Sequence, residues 1–460
     1  MTDCDKRFYL FQQKMFDVGL PDLFIEIFSY YYHQLIAGQT GLISEKDIEP
    51  VSSVVNMLDL PDRLSDVGEQ ASRQSVLIKL NGGLGTSMGL QKAKSLLVVK
   101  NGYTFLDIIA EQAINSQVPL VLMNSFATEA DSLQVLKSHK ELISDIPQTF
   151  VQHMEPKIRQ SDYLPAEWPE DPELSWCPPG HGDIYTAMVT KGVLDELLEA
   201  GYKNAFVSNA DNLGATIDYS LLGYFVENRI PFMLEVAERT EIDRKGGHLA
   251  RRRKDGRLIL RESAQCPQDE IEIFQDISHY SYFNTNNLWV NLESLDSMLR
   301  RQDFNLKLPM IRNSKTVNPV DRNSTPVYQL ETAMGTAVEV FEGAEAVLVP
   351  RSRFAPVKKT SDLFIVRSDV YQLTEDFTLQ MHPDREGNAP MVNLDPRYFQ
   401  FIDDFDARFA YGVPSLLECI SLSIDGDYCF GAEVKIRGDV KLKNESAAQR
   451  FIADGSILGA

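Results

Sequence analysis

Short apolar runs punctuate the chain from Ser75 onward: Val76-Leu77-Ile78-Lys79-Leu80, Pro119-Leu120-Val121-Leu122-Met123, Asn204-Ala205-Phe206-Val207-Ser208 and Pro231-Phe232-Met233-Leu234-Glu235-Val236. They are short and unbroken rather than alternating, the pattern of strands buried on both faces. Between them, Thr104 to Gln117 and Asp183 to Ala200 space their apolar residues as helices do. This alternation predicts an α/β domain around a parallel sheet, in which ligands bind beyond the carboxyl ends of the strands. Upstream, Phe8, Phe11, Phe16, Leu20, Leu23, Phe24, Ile27, Phe28 and Tyr31 recur at helical intervals, so a helical segment is expected over 1–70. Pro50, Pro61 and Gly68 mark residues 50 to 75 as a connector. Downstream, Ile420 to Ile424 and Val434 to Leu442 alternate apolar with polar, separated by the turn Asp425-Gly426-Asp427. That pattern predicts a small β-solenoid or sandwich.

Composition narrows the classes of function. The length of 460 residues suits about three structural units. Against 45 Lys and Arg stand 66 Asp and Glu, a formal charge of −21 that repels a nucleic-acid backbone. The one dense basic run, Arg251-Arg252-Arg253-Lys254-Asp255-Gly256-Arg257, contains an Asp-Gly turn and is expected to be an exposed hairpin tip. Five cysteines, with no CxxC pair, suit a reducing compartment. No apolar stretch approaches the roughly 18 residues of a membrane span. The start, Met1 to Arg7, lacks an apolar signal core, and the end, Ile457 to Ala460, is no peroxisomal signal. A cytoplasmic protein, with neither nucleic acid nor membrane as partner, is expected.

The densest chemistry follows the first apolar run. Leu80-Asn81-Gly82-Gly83-Leu84-Gly85-Thr86-Ser87-Met88-Gly89 removes the side chains that would stop a backbone closing on a base or phosphate, and Lys92 and Lys94 follow with mobile positive charge. A dinucleotide fingerprint begun at Gly83 would need glycine where Met88 stands, and no register fits a P-loop. A different nucleotide loop is required. Pro178-Pro179-Gly180-His181-Gly182-Asp183 places His181 at the start of a helical pattern, a position that favours anions. Ser208-Asn209-Ala210-Asp211-Asn212 puts a carboxylate just past a strand, where a hard cation is often held. Phe283-Asn284-Thr285-Asn286-Asn287-Leu288-Trp289 crowds carboxamides among apolar residues, costly unless they bond something. Arg351, Arg353, Lys358 and Lys359 bring four cations into one short segment.

Together these segments closely resemble the eukaryotic-type UTP–glucose-1-phosphate uridylyltransferase (UDP-glucose pyrophosphorylase) family. The matching stretches are LNGGLGTSMG at 80–89, PLVLMNSF at 119–126, PPGHGDIY at 178–185, SNADNLGATID at 208–218, FNTNNLW at 283–289, QLETAMG at 329–335 and PRSRFAPVK at 350–358. GGHLARR at 246–252 and RESAQCP at 261–267 look like the compact protozoan-type members. In one departure, Lys92-Ala93-Lys94 stands where many members carry Gly-Pro before the lysine.

The resemblance implies a GT-A-like, Rossmann-related nucleotidyltransferase domain over 71–382, after the helical segment 1–70, and a C-terminal left-handed β-helix over 383–460. It implies a reversible, Mg²⁺-dependent reaction of UTP with glucose 1-phosphate to give UDP-glucose and pyrophosphate. By motif, Leu80, Asn81, Gly82 and Gly83 would cradle uracil and ribose, with Gln152 and Gly180 completing the uridine site. His181 would face the sugar-linked phosphate. Asn209, Glu262 and Asn286 would hold glucose hydroxyls, Asp211 would ligate Mg²⁺, and Lys94 and Lys358 would bind the reacting phosphates. A broad-specificity UDP-sugar pyrophosphorylase, or the N-acetylglucosamine relative, is the alternative within the class, although their glycine loops typically continue with an arginine, whereas Thr86-Ser87-Met88 follows here. A binding protein without turnover would be expected to lose Lys94, Asp211 or Lys358, and a dehydrogenase is disfavoured by the failed fingerprint. A monomer is favoured, with self-association through the C-terminal part as the other option.

Overall fold

The computed structural model describes residues 3–143 and 145–459; Met1, Thr2 and Ala460, on which part of the terminal-signal reading falls, lie outside the described residues. Its centre is an eleven-stranded mixed sheet. Along the main path the strands run Val55–Asn56, Glu345–Leu348, Phe232–Glu238, Tyr282–Asn291, Asn204–Asn209, Ser75–Asn81, Leu120–Asn124 and Thr149–Val151. Every neighbouring pair on this path is parallel except those made by Tyr282–Asn291, which runs antiparallel to both its neighbours.

All four apolar runs lie in this sheet, and the packing shows why they are continuous. Leu77, Leu120, Leu122 and Phe206 enter one core, while Val76, Ile78, Val121, Ala205 and Val207 enter another on the opposite face. Successive side chains point to opposite faces, so two apolar layers demand apolar residues at nearly every position. The exception in the first run is Lys79, fully buried.

The expected helix at 104–117 spans Phe105–Ser116. Thr104 and Asp107 form a reciprocal cap, each side chain accepting the other's backbone N–H at 3.1 and 2.9 Å. The single helix expected from 183 to 200 is instead two, Ile184–Thr190 and Val193–Glu199. Gly192 between them takes a left-handed φ of +74°, which ends the first helix and re-aims the second. The connector expected over 50–75 contains the helix Arg63–Ser72, which starts two residues after Pro61. Proline fixes the turn before a helix as readily as it breaks one. The basic run forms the expected hairpin between His248–Arg252 and Leu258–Arg261, and Arg252 and Arg253 are spoken for by Asp255, Glu339 and Glu49.

Two helices, Asp3–Asp17 and Asp22–Ile36, pack Phe8, Phe11, Phe24, Phe28 and Tyr32 together, whereas Phe16 is exposed. At the other end, Met391–Leu394, Ser415–Asp425, Lys435–Lys443 and Ile457–Leu458 pair in sequence, all parallel, and Tyr428–Phe430 pairs parallel with Arg450–Ile452. Parallel stacking of successive strands is the pairing of a solenoid; hairpin-linked strands of a sandwich run antiparallel. All five cysteines are free thiols. Among the described residues no helix is long and apolar enough to cross a membrane.

Candidate active site

The glycine loop leaves the carboxyl end of Ser75–Asn81, between two parallel neighbours, as the strand rule requires. Local bonds tie it to its surroundings. Ala210 N–H donates to Leu80 O at 3.0 Å, and Lys94 N–H donates to Gly83 O at 3.0 Å. The Asn81 carboxamide turns inward, donating to Asn124 Oδ1 and Ser132 Oγ at 2.7 Å each, so only its main chain faces the loop side. Gln152, just beyond Thr149–Val151, lies against Gly82, where a β-carbon would stand 2.9 Å from its Nε2. Gly180 has φ +81° and seats so closely on Thr332 that a β-carbon would lie 2.4 Å from that carbonyl oxygen. Only glycine tolerates both demands.

Next to this shelf opens a cleft of about 800 Å³ whose walls include His181, Asn209, Glu262, Asn286 and Lys358. Asn286 reaches it through an irregularity in Tyr282–Asn291: Glu235 is paired with Asn287, but the next residue, Val236, with Asn284. The looped-out Thr285-Asn286 pair puts Asn286 at φ +63°, a conformation asparagine accepts better than most residues. Asn286 Nδ2 then donates to Asn209 Oδ1 at 3.3 Å. Glu262 lies against Gly247, and burial raises its pKa while the Lys358 ammonium opposes that shift.

His181 is held in one tautomer. Met334 N–H donates to its Nδ1 at 3.0 Å, which leaves the proton on Nε2. Burial, with Lys358 nearby, pushes its pKa down to about 4. At neutral pH it is therefore an uncharged N–H donor.

Lys94 and Asp211 meet directly, Nζ to Oδ2 at 2.6 Å, with 15% and 19% of their side chains exposed. Asp211 Oδ1 is buried and has no hydrogen-bond partner among the described residues. The Asp211 carbonyl accepts from Val357 N–H at 3.1 Å, which brings the exposed Lys358 alongside. Lys94 and Asp211 thus meet beside the shelf, and the segment that carries Lys358 is bonded to the Asp211 main chain.

Two motif residues do other work. Lys92 is exposed. Arg353, one of the four clustered cations, is turned into the core, where its guanidinium donates to both Glu235 oxygens at 2.7 and 2.8 Å; Asn287 and Trp289 satisfy the same carboxylate. A fully hydrogen-bonded buried pair of this kind is scaffold. Sequence reasoning assigned no role to His153 or Asp183. Behind the shelf, the Asp183 carboxylate accepts His153 N–H at 2.7 Å and meets its Nδ1 at 2.9 Å, while Phe24 stacks on the imidazole at 4.2 Å. The pair links the Gln152 segment to the Gly180-His181 turn. Asp183 stood inside the glycine-flanked motif, the one signal that could have found it.

Comparison with known proteins places this arrangement. The family described as UTP–glucose-1-phosphate uridylyltransferase matches residues 22–437. The enzyme of that name from Hordeum vulgare is 37% identical over 446 residues, 95% of this chain and 91% of its own length. The one from Saccharomyces cerevisiae is 38% identical, over 86% of this chain and 78% of its own. Among solved structures, a UDP-glucose phosphorylase from Trypanosoma brucei is 44% identical with a TM-score of 0.89, covering 98% of both chains. A variant of the UDP-glucose pyrophosphorylase from Leishmania major, in complex with UDP-glucose, is 42% identical with a TM-score of 0.91, covering 100% of this chain and 98% of that one.

Proposed function

Because the chain belongs to the UTP–glucose-1-phosphate uridylyltransferase family, we propose that its cleft transfers the uridylyl group of UTP to glucose 1-phosphate, releasing pyrophosphate. The observation that carries the reading is the meeting of Lys94 and Asp211 beside a backbone shelf, with the segment that carries Lys358 bonded to the Asp211 main chain. A phosphate oxygen of the sugar attacks the α-phosphorus of UTP, and the bond to the β-phosphate oxygen breaks. Both reactants are anions, and two like unit charges 4 Å apart repel by about 4 kcal/mol at an effective dielectric near 20. Lys94 and Lys358 offset that repulsion and stabilise charge spreading over the equatorial oxygens. The attacking phosphate is already ionised near pH 7, so no general base is needed.

The remaining roles are those the family resemblance implies, and the geometry supports them. Leu80, Asn81, Gly82 and Gly83 offer main chain to the base and ribose, with Gln152 and Gly180 at the edges. His181 donates its Nε2–H to the sugar-linked phosphate without adding charge. Asn209, Glu262 and Asn286 face glucose hydroxyls, and the cleft they share with Lys358 supports that assignment.

Mg²⁺ suits this donor set. Among the described residues no cluster of three or more His, Cys, Asp or Glu forms a protein cage, but Mg²⁺ usually takes one or two carboxylates together with substrate phosphates. Asp211, with a buried oxygen free to accept, would hold it. When bound, the ion would supply a further positive charge to offset the repulsion of the phosphates.

We read the architecture as a GT-A-like catalytic domain over 71–382, a helical segment over 1–70 and a left-handed β-helix over 383–460, in a cytoplasmic, monomeric enzyme. The parallel-dominated sheet and the parallel C-terminal strands support the catalytic-domain and β-helix parts of this reading. The test is pyrophosphate release from UTP with glucose, galactose or N-acetylglucosamine 1-phosphate, with and without Mg²⁺. Mg²⁺-dependent release with a strong glucose preference is expected. Comparable rates with all three sugars would favour the broad-specificity alternative, and no release with any would overturn the proposal.

A further inference from the structure

Lys79 is the one charged residue in the first apolar run, and it is fully buried. Its Nζ donates to Ser208 Oγ at 2.8 Å and to Ala215 O at 2.7 Å. Those acceptors flank the loop that carries Asn209 and Asp211. Ser208 is the register partner of Lys79 across the parallel pair of strands, and Ala215 lies just past the turn. One ammonium therefore holds both ends of a loop that carries Asn209 to the cleft wall and Asp211 to Lys94. The same strand continues, within two residues, into the glycine shelf.

This is an expensive way to fill a core. Burial pushes the Lys79 pKa down to about 7, Arg353 nearby adds to that, and Glu235 and Asp211 oppose it. Its two hydrogen-bond acceptors are neutral oxygens, so no directly bonded carboxylate compensates the desolvation. A methionine would occupy similar volume without that cost. What the ammonium adds is directional: three donors on a compact charge, able to fix two separate chain segments at once.

We propose that Lys79 is a positioning residue for uridylyl transfer: its ammonium clamps the 208–215 loop at both ends and so sets Asn209 and Asp211 against the shelf. The proposal rests on the uridylyl-transfer reading of the cleft. A purely structural lysine would contribute to overall stability and leave the loop and the kinetics of the folded enzyme alone.

Two variants separate these roles. Ser208→Ala removes one acceptor and keeps the charge, so it tests the clamp even if Lys79→Met fails to fold. Hydrogen exchange is followed at the Asn212 and Ala215 amides, which bond Asn209 O at 3.2 Å and Asn212 O at 3.3 Å. In Ser208→Ala these amides should exchange at least about tenfold faster, beyond any change in core strand amides, because an ordered loop has lost one charge-assisted bond. The turnover number should fall about tenfold and the Michaelis constant for glucose 1-phosphate should rise, with UTP affinity within about threefold of the parent. Lys79→Met, if folded, should lose about a hundredfold in turnover. Unchanged exchange at 212 and 215, or turnover within about twofold of the parent, would overturn the clamp. A parent enzyme that releases no pyrophosphate would refute the uridylyl-transfer reading instead, and the exchange data would still decide whether the loop is clamped.

Discussion

Lys94 and Asp211 form the closest charge pair in the site, and a double-mutant cycle on them tests the electrostatic account from two sides. At 2.6 Å the gross attraction is about 6 kcal/mol at an effective dielectric of 20 and under 2 in bulk water. Both side chains keep some solvent exposure, 15% and 19%, and desolvation opposes the attraction. The expected coupling in the unliganded protein is about 2 kcal/mol. Lys94→Met alone strands a carboxylate whose other oxygen is already unpartnered, so it should destabilise by about 2–3 kcal/mol. Asp211→Asn should do less harm, because a carboxamide still accepts from the ammonium. The double variant should recover most of the stability lost by Lys94→Met. Turnover should behave oppositely. If Lys94 binds reacting phosphates, the double variant remains at least about a thousandfold impaired despite its recovered stability. Urea denaturation and pyrophosphate release on the same four proteins give both cycles. Stabilities additive within about 0.5 kcal/mol would show that the pair does not act as a pair. A double variant as active as Asp211→Asn would confine Lys94 to a structural role.

Three further expectations follow. Lys358→Ala should cut turnover by about a hundredfold or more with little change in UTP affinity; near-parental turnover removes Lys358 from the chemistry. The His181 pKa, about 4 when folded, lies below its ordinary value near 6.5, so the unfolded chain binds this proton first. Its contribution to stability is present above pH 6.5 and is lost as pH falls towards 4; the parent should lose about 1–2 kcal/mol more than His181→Asn between pH 7 and 5, and equal losses in urea titrations would contradict the burial argument. Gly180→Ala should weaken UTP binding at least about tenfold, since the new methyl meets Thr332 O in a left-handed backbone; unaltered affinity by calorimetry would place uridine elsewhere.

Much of the scaffold could be read from residue order, because buried strands leave an unambiguous mark. Val76 to Leu80, apart from Lys79, and Ala205 to Val207 are continuously apolar since two separate cores claim alternate side chains. Thr104 and Asp107 likewise announce their helix with a capping pair. Local pattern failed where a residue's role depends on a distant partner. Pro61 marks a connector by local pattern, although the helix it precedes is held by packing against Tyr219–Glu227 and by the Arg63–Glu227 ion pair. Arg353 resembled its cationic neighbours, yet Glu235, far away in sequence, draws it into the core. The inward turn of Asn81 depends on Asn124 and Ser132 in the same way. Lys79 did leave a signal, a charge alone in an apolar run, but its two acceptors, on either side of a loop, lie more than a hundred residues later.

When the sugar phosphate itself attacks the α-phosphorus between fixed cations, its oxygens stay with the sugar, and isotope placement shows where they go. Glucose 1-phosphate labelled with ¹⁸O on its non-bridging phosphate oxygens is incubated with UTP, Mg²⁺ and the enzyme, and the products are read by ³¹P NMR. The account predicts that all the label remains in UDP-glucose, on the sugar-linked phosphorus and the new bridge, with none in pyrophosphate. Label in pyrophosphate, or UMP formed ahead of UDP-glucose, would contradict it.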